Sequence, residues 1–347
     1  MAAGAPLRVD EREGLHLAMI MTARQAIRIE VAARFGFLVL LAGIASLVFV
    51  AGAGAAFPGA NGRIAYVGSL PGEPHGDLFT VLPDGSGTER LTNDPAIQGA
   101  PSWSADGQRL VFAILDPDPE RYGHSLIATM NADGSDVRVL ARSGLNHVSA
   151  SPSFKPSGRR IVFAKGRAIV SVRTDGEGLR RVVRARRRGI LIDPAVSPDG
   201  RWIAFVGTPR GERGPGIWKA RTNGRGLQRL TAEEPDQTPD FSPDGRRIVF
   251  DRYEQVLLMR ADGKRERSIP NAFPFNFPAF APAGDRITMS SFSSPLSVPC
   301  PDIYTISPNG SDLEQVTHYS DPGSCPPENE AKWGGATQPS WQPLPGP

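Results

Sequence analysis

The sequence has little of what builds metal centres, nucleophilic active sites or membrane cores. Among 347 residues there are two cysteines, Cys300 and Cys325, and five histidines. Neither type sits at a metal-ligand spacing. His75, His124, His147 and His318 fall in separate stretches and His16 lies far upstream, a scatter that reads as solvated loop residues. No Gly-x-Ser-x-Gly segment is present, so a Ser-His-Asp hydrolase lacks its nucleophile elbow. Charge of one sign is also missing: 39 Lys+Arg against 36 Asp+Glu leave a net +3. The one dense basic run (Arg180, Arg181, Arg184, Arg186, Arg187 and Arg188) has no aromatic interleaved on which a base would stack. It reads as a solvated loop, and no nucleic-acid partner is expected.

Long apolar runs are limited to one, Phe35 to Ala56, reading FGFLVLLAGIASLVFVAGAGAA. Arg24, Arg28 and Arg34 precede it as the basic region of an export signal would, and its small-residue end offers A-x-A cleavage sites after Ala53 or Ala55. Residues 1–56 are therefore expected to be a leader carrying a signal peptide, with cleavage favoured over retention as a membrane anchor. If the leader is kept, residues 35–56 are the expected membrane contact. Export places Cys300 and Cys325 in an oxidising compartment, where a disulfide between them is expected. Closing a loop of about 25 residues would contribute roughly 3 kcal/mol on chain-entropy grounds.

Glycine (38) and proline (33) are plentiful, and the remaining apolar residues fall in short runs between turn formers. That pattern belongs to an all-β protein. One segment recurs five times: PSWSADGQRLVFA from Pro101, PSFKPSGRRIVFA from Pro152, PAVSPDGRWIAFV from Pro194, PDFSPDGRRIVFD from Pro239 and PAFAPAGDRITMS from Pro278. Its glycines, Gly107, Gly158, Gly200, Gly245 and Gly284, stand 39 to 51 residues apart, close to the period of a four-stranded propeller blade. Each copy predicts a short Pro-x-aromatic strand A, a tight turn on Asp-Gly or its equivalent, and an apolar strand B. A second hairpin follows, turning at Asp84-Gly85, Asp133-Gly134, Asp175-Gly176, Asn223-Gly224, Asp262-Gly263 and Asn309-Gly310. It joins strands C and D, with A innermost and D outermost.

The ends carry half a motif each. Asn61 to Val67 supplies the turn and strand B without a strand A before it, whereas Gln338 to Pro343 supplies a strand A with no strand B after it. Pairing the two halves closes a ring and removes its free edges. The expected fold is all-β, a six-bladed β-propeller of four-stranded antiparallel blades over residues 57–347, closed by its N- and C-terminal strands.

Ser-Pro-Asp-Gly-Arg before an apolar strand, at Ser197 to Arg201 and Ser242 to Arg246, resembles the repeat of the TolB-like, WD40-like β-propeller family, as do Leu91-Thr92 and Leu230-Thr231. The resemblance implies a propeller of the bacterial envelope that binds proteins. The apolar segment leaves no room before residue 57 for the α/β domain that precedes the propeller in the family's namesake, so a role in a Tol system is not expected.

In a four-stranded meander the B–C and D–A connections emerge on one side. They also vary most in length, so Gly68 to Gly76, Asp116 to His124, Gly207 to Pro215, Ser291 to Pro301 and Tyr319 to Thr337 are the expected binding face. Asp106, Asp199 and Asp244 are explained by turn chemistry, and Asp116, Asp118 and Glu120, separated by Pro117 and Pro119, read as an exposed extended loop. The residues before each strand A proline, which line the channel mouth, are Ala100, Ser151, Asp193, Thr238, Phe277 and Gln338. Their mixture argues against an ion-coordinating ring and leaves Asp193, Thr238 and Gln338 as candidate contacts for a small polar ligand. The expectation is an exported, monomeric, non-catalytic module without a cofactor that binds a protein, peptide or cell-wall polymer. Two alternatives stand beside it: a hydrolase or lyase with its site at the channel mouth, and a calcium-binding or small-molecule-binding propeller.

Overall fold

The computed structural model describes residues 56–70, 76–115, 125–142, 151–186, 189–232, 235–291, 300–320 and 335–345. Of the apolar segment Phe35 to Ala56 only Ala56 falls within them, and Cys325 lies outside. The described residues form 24 strands in six four-stranded antiparallel sheets. Blade 1 holds β1 (Ala60–Ser69), β2 (Asp77–Val81) and β3 (Glu89–Arg90). Blade 2 holds β4 (Ile97–Trp103), β5 (Arg109–Leu115), β6 (Ser125–Asn131) and β7 (Arg138–Arg142), and blade 3 holds β8 (Ser153–Phe154), β9 (Arg160–Lys165), β10 (Ala168–Arg173) and β11 (Arg180–Arg184). In blade 4 are β12 (Leu191–Val196), β13 (Trp202–Gly207), β14 (Gly216–Arg221) and β15 (Gln228–Arg229), and in blade 5 β16 (Asp236–Phe241), β17 (Arg247–Arg252), β18 (Gln255–Arg260) and β19 (Arg267–Ser268). Blade 6 holds β20 (Phe275–Phe280), β21 (Ile287–Ser291), β22 (Ile303–Ile306) and β23 (Glu314–Gln315). The last strand, β24 (Gly335–Leu344), returns to β1 as the inner strand of blade 1.

Burial explains why strand B reads as an unbroken apolar run. The middle strands of a blade are covered on both faces by neighbouring blades, so Ile248, Val249 and Phe250 of β17 are all buried, whereas both residues of the outer β19 are exposed. The apolar cores lie between blades: Ala195, Val206 and Ile217 of blade 4 pack on Phe241, Ile248 and Leu257 of blade 5, and Tyr66, Phe79 and Trp341 of blade 1 pack with Ala281 and Ile303 of blade 6.

The A–B turn is held by its own side chains. Ser242 Oγ donates to Asp244 Oδ1 at 2.5 Å and accepts the Arg247 N–H, while the same Asp244 oxygen accepts the Arg246 N–H at 3.0 Å. Ser197 with Asp199 and Ser104 with Asp106 repeat this pattern. These hydrogen bonds draw the Asp106 and Asp244 carboxyls below their usual range, outweighing partial burial, which acts the other way. The recurring aspartates are thus engaged in turn formation. The threonines of Leu91-Thr92, Leu230-Thr231 and the equivalent Val316-Thr317 also have a structural duty, since their Oγ1 atoms accept the N–H of Leu78, Ile217 and Ile303, each at 2.9 Å, and so tie strand D to the start of strand C.

Candidate functional site

The six inner strands touch one another in sequence around the ring, so their starts form the channel mouth on the side of the B–C and D–A connections. In five of them strand A carries one residue more than strand B opposite it. Ile192 pairs with Val206 and Ala195 with Ala204, leaving Asp193 and Pro194 facing one residue. The same irregularity occurs at Ala100-Pro101, Thr238-Pro239, Phe277-Pro278 and Gln338-Pro339. Proline suits the bulge because it has no N–H to leave unpaired. The residue ahead of it takes a left-handed φ in every case: 53° at Ala100, 49° at Asp193, 44° at Thr238, 53° at Phe277 and 60° at Gln338. Side-chain-bearing residues accept this conformation at a cost of about 1–2 kcal/mol each, so the surrounding contacts must impose it.

Clasps between neighbouring residues supply that constraint. Gln338 Oε1 accepts the N–H of Ala100 in the next blade at 2.8 Å. Ser151 of blade 3 donates its hydroxyl to Asp193 of blade 4 at 2.7 Å. Thr238 donates to Asp251, whose carboxylate also accepts the Phe277 N–H of blade 6. Asp193 and Thr238 have no exposed surface and Gln338 is 7% exposed, so these three candidates offer a ligand little or no surface and each is held in a separate clasp.

Asp251 was not among the residues singled out from sequence, nor were Asp236 and Glu266 beside it. Burial pushes its carboxyl up to about 6, with help from nearby Asp236 and against the pull of Thr238. Asp236, also buried and raised by desolvation, accepts from Arg252 at 2.5 Å, and Arg252 reaches Glu266 at 2.7 Å. The signal was readable: where strand B of the other blades carries small or aliphatic residues such as Ala113, Ala164 and Val206, blade 5 has Asp251.

Of the expected binding loops, Gly207 to Pro215 is described in full. Arg210 there places its guanidinium 5.5 Å from the centre of the Trp218 ring, and Arg213 is exposed. The other named loops fall wholly or partly outside the described residues, as do His75, His124 and His147. His318 is exposed. Cys300 is buried and disulfide-bonded. Among the described residues, no three His, Cys, Asp or Glu side chains gather as metal ligands would. On the opposite, A–B turn face a cavity of about 420 Å³ opens between blades 4 and 5. Its acids, Asp199 and Asp244, belong to the turns above, and its Lys219 donates to the Ala261 carbonyl at 2.6 Å.

Comparison with known proteins places this geometry. The TolB beta propeller domain family matches residues 143–326. No curated protein sequence matches. TolB from Acinetobacter baumannii shares the fold with a TM-score of 0.64 at 18% identity, over 81% of this chain and 67% of that one. A putative TolB from Agrobacterium tumefaciens gives 0.56 at 19% identity, over 73% and 88%. Kuenenia stuttgartiensis hydrazine synthase gives 0.61 at 14% identity, over 82% of this chain and 47% of that one. At such identities the likeness is one of fold, and a fold shared by TolB and a synthase does not choose a function.

Proposed function

Since this chain belongs to the TolB β-propeller domain family, we propose that it is an extracytoplasmic binding module that holds a protein, peptide or cell-wall polymer on its B–C and D–A loops without catalysing a reaction on it. The observation that supports this reading is the contrast between the two faces. On one, the A–B turns are short and engage their own polar side chains, as at Ser242 and Asp244. On the other, the B–C and D–A connections differ widely in length in the sequence, and the inner strands that start there are locked by Gln338, Asp251 and Asp193. A rigid wall beneath variable loops is how a scaffold presents a binding surface. Asp193, Thr238 and Gln338 enter this reading as residues that hold the mouth in shape. The envelope location rests on the basic and apolar leader together with the family, and the chain acts as a monomer.

A photo-cross-linking side chain placed at Arg213, on the loop face, should capture a discrete partner on intact cells, while the same group at Arg201, in an A–B turn, should not. Equal capture from both positions would count against the assignment of the face. A catalytic reading has one observation in its favour, a buried carboxyl at Asp251 that burial raises to about 6 beside the channel mouth. Turnover of peptides or polysaccharides that is lost in Asp251→Asn but retained in Asp193→Asn would support it over binding alone.

A further inference from the structure

Ala56 and Phe57 precede the first strand, yet they are 3% and 2% exposed. Phe57 packs with Val111, Phe154 and Val196 of blades 2 to 4, and Ala56 with Phe280 and Ile287 of blade 6. The Ala56 N–H donates to Oδ1 of Asp240 at 3.3 Å, and the other oxygen of that carboxylate accepts the Phe280 N–H at 2.8 Å. Asp240 has no exposed surface. Its partners are backbone N–H groups, those of Phe280, Ala56 and Phe241, and burial holds its carboxyl well above the ordinary range. The five other inner strands place Ser102, Ser153, Ala195, Ala279 and Ser340 at this position. A carboxyl therefore occurs only in the blade whose inner strand faces Ala56.

A buried carboxylate is costly unless a charge of opposite sign is brought to it. The residue before Ala56 completes an A-x-A sequence, Ala53-Gly54-Ala55, the pattern after which export signals are cut. We propose that the leader is removed between Ala55 and Ala56, and that the α-ammonium group released there forms a buried ion pair with Asp240 that locks the processed chain into its propeller. The step is a hydrolysis: a signal peptidase and one water break the Ala55–Ala56 amide, the carbonyl carbon leaves as the Ala55 carboxylate, and the nitrogen becomes the Ala56 amine, which takes up a proton. The single N–H now directed at Asp240 becomes a charged group with three donors in the same place. Cleavage after Ala53, the other site of the same pattern, would leave Ala56 as an ordinary amide and the carboxyl without a counter-charge. This inference rests on the export reading and refines it to one bond.

The full chain is expressed in a host that exports it, and the N-terminus of the recovered protein is sequenced. A start at Ala56 is expected. An exported protein starting at Gly54, or uncleaved in the membrane, overturns the proposal while leaving export intact; protein retained in the cytoplasm overturns the export reading and this proposal with it. On the processed protein, an acylating reagent at neutral pH should label the Ala56 amine at least tenfold more slowly in the native state than in urea. Asp240→Asn, which retains the size and one acceptor, should restore most of the lost rate. Equal labelling of native and unfolded wild-type protein refutes the ion pair even if the variant does not fold.

Discussion

Asp251 shows how one side chain couples blade structure to pH. It occupies the place that other blades give to Val67, Ala113, Ala164, Val206 and Ser290, and from there it holds both Thr238 and the Phe277 N–H. Its carboxyl rises on folding to about 6. Between about pH 4 and pH 6 the native state therefore keeps a proton that the unfolded chain has released, and this group's contribution to stability falls as pH rises through that window. Asparagine offers the same acceptor without titrating. Asp251→Asn is expected to gain on the wild type by roughly 2–3 kcal/mol between pH 4 and pH 7, read as the difference in urea midpoint between the two proteins at pH 4.5 and 7.5. A constant difference across that range would show that Asp251 keeps its ordinary pKa. The Asn substitution isolates this group from Asp106 and Asp244, whose lowered pKa values add stability above the carboxylate range and are the same in both proteins.

The A–B hairpin is the part of the blade most legible in the sequence, because its chemistry is local. Asp-Gly fixes the turn, Ser and Asp bond to backbone within five residues, and an apolar run follows. Two of these turns give a clean test of packing against backbone strain. Gly107 and Gly245 have nearly equal φ, 67° and 68°. A Cβ on Gly245 would meet only Pro198 at 3.9 Å, whereas one on Gly107 would stand 2.1 Å from the Pro343 carbonyl oxygen of β24. Gly245→Ala should cost about 1–2 kcal/mol from the left-handed backbone alone; Gly107→Ala should cost that and a further 1–3 kcal/mol from overpacking, measured by denaturant titration. The bulge of strand A was not legible. Its left-handed residues are Ala100, Asp193, Thr238, Phe277 and Gln338, which share no side-chain chemistry, and the conformation, which a following proline does not favour, is held by hydrogen bonds to groups distant in the sequence. Asp240 and Asp251 were missed for the same reason, since the backbone groups they receive lie 40 and 26 residues further along the chain.

Ring closure is the property that only the whole repeat array possesses, and it was readable because the half motifs at the two ends are complementary. β24 pairs with β1 from Ala60↔Leu344 to Ser69↔Gly335. It also reaches sideways into blade 2, where Gln342 Nε2 donates to the Gly107 carbonyl at 2.8 Å and the Trp103 indole N–H donates to the Ser340 carbonyl at 3.2 Å. Cutting the chain after residue 334 should open the ring on both sides of that strand. The truncated protein is expected to lose its single cooperative unfolding transition and to elute as aggregates in size-exclusion chromatography, while Leu344→Ala, at the exposed end of the strand, should behave as wild type. A discrete, cooperative monomer from the truncated chain would show that five blades and a remnant are self-sufficient. The split blade also sets an order of events during synthesis. β3 ends at Arg90 and β24 begins at Gly335, so at about 5–20 residues per second the first three strands wait on the order of 10 to 50 s for the fourth. Throughout that interval the inner edge of β1 is an open template for a foreign strand, and only the emergence of β24 ends the risk.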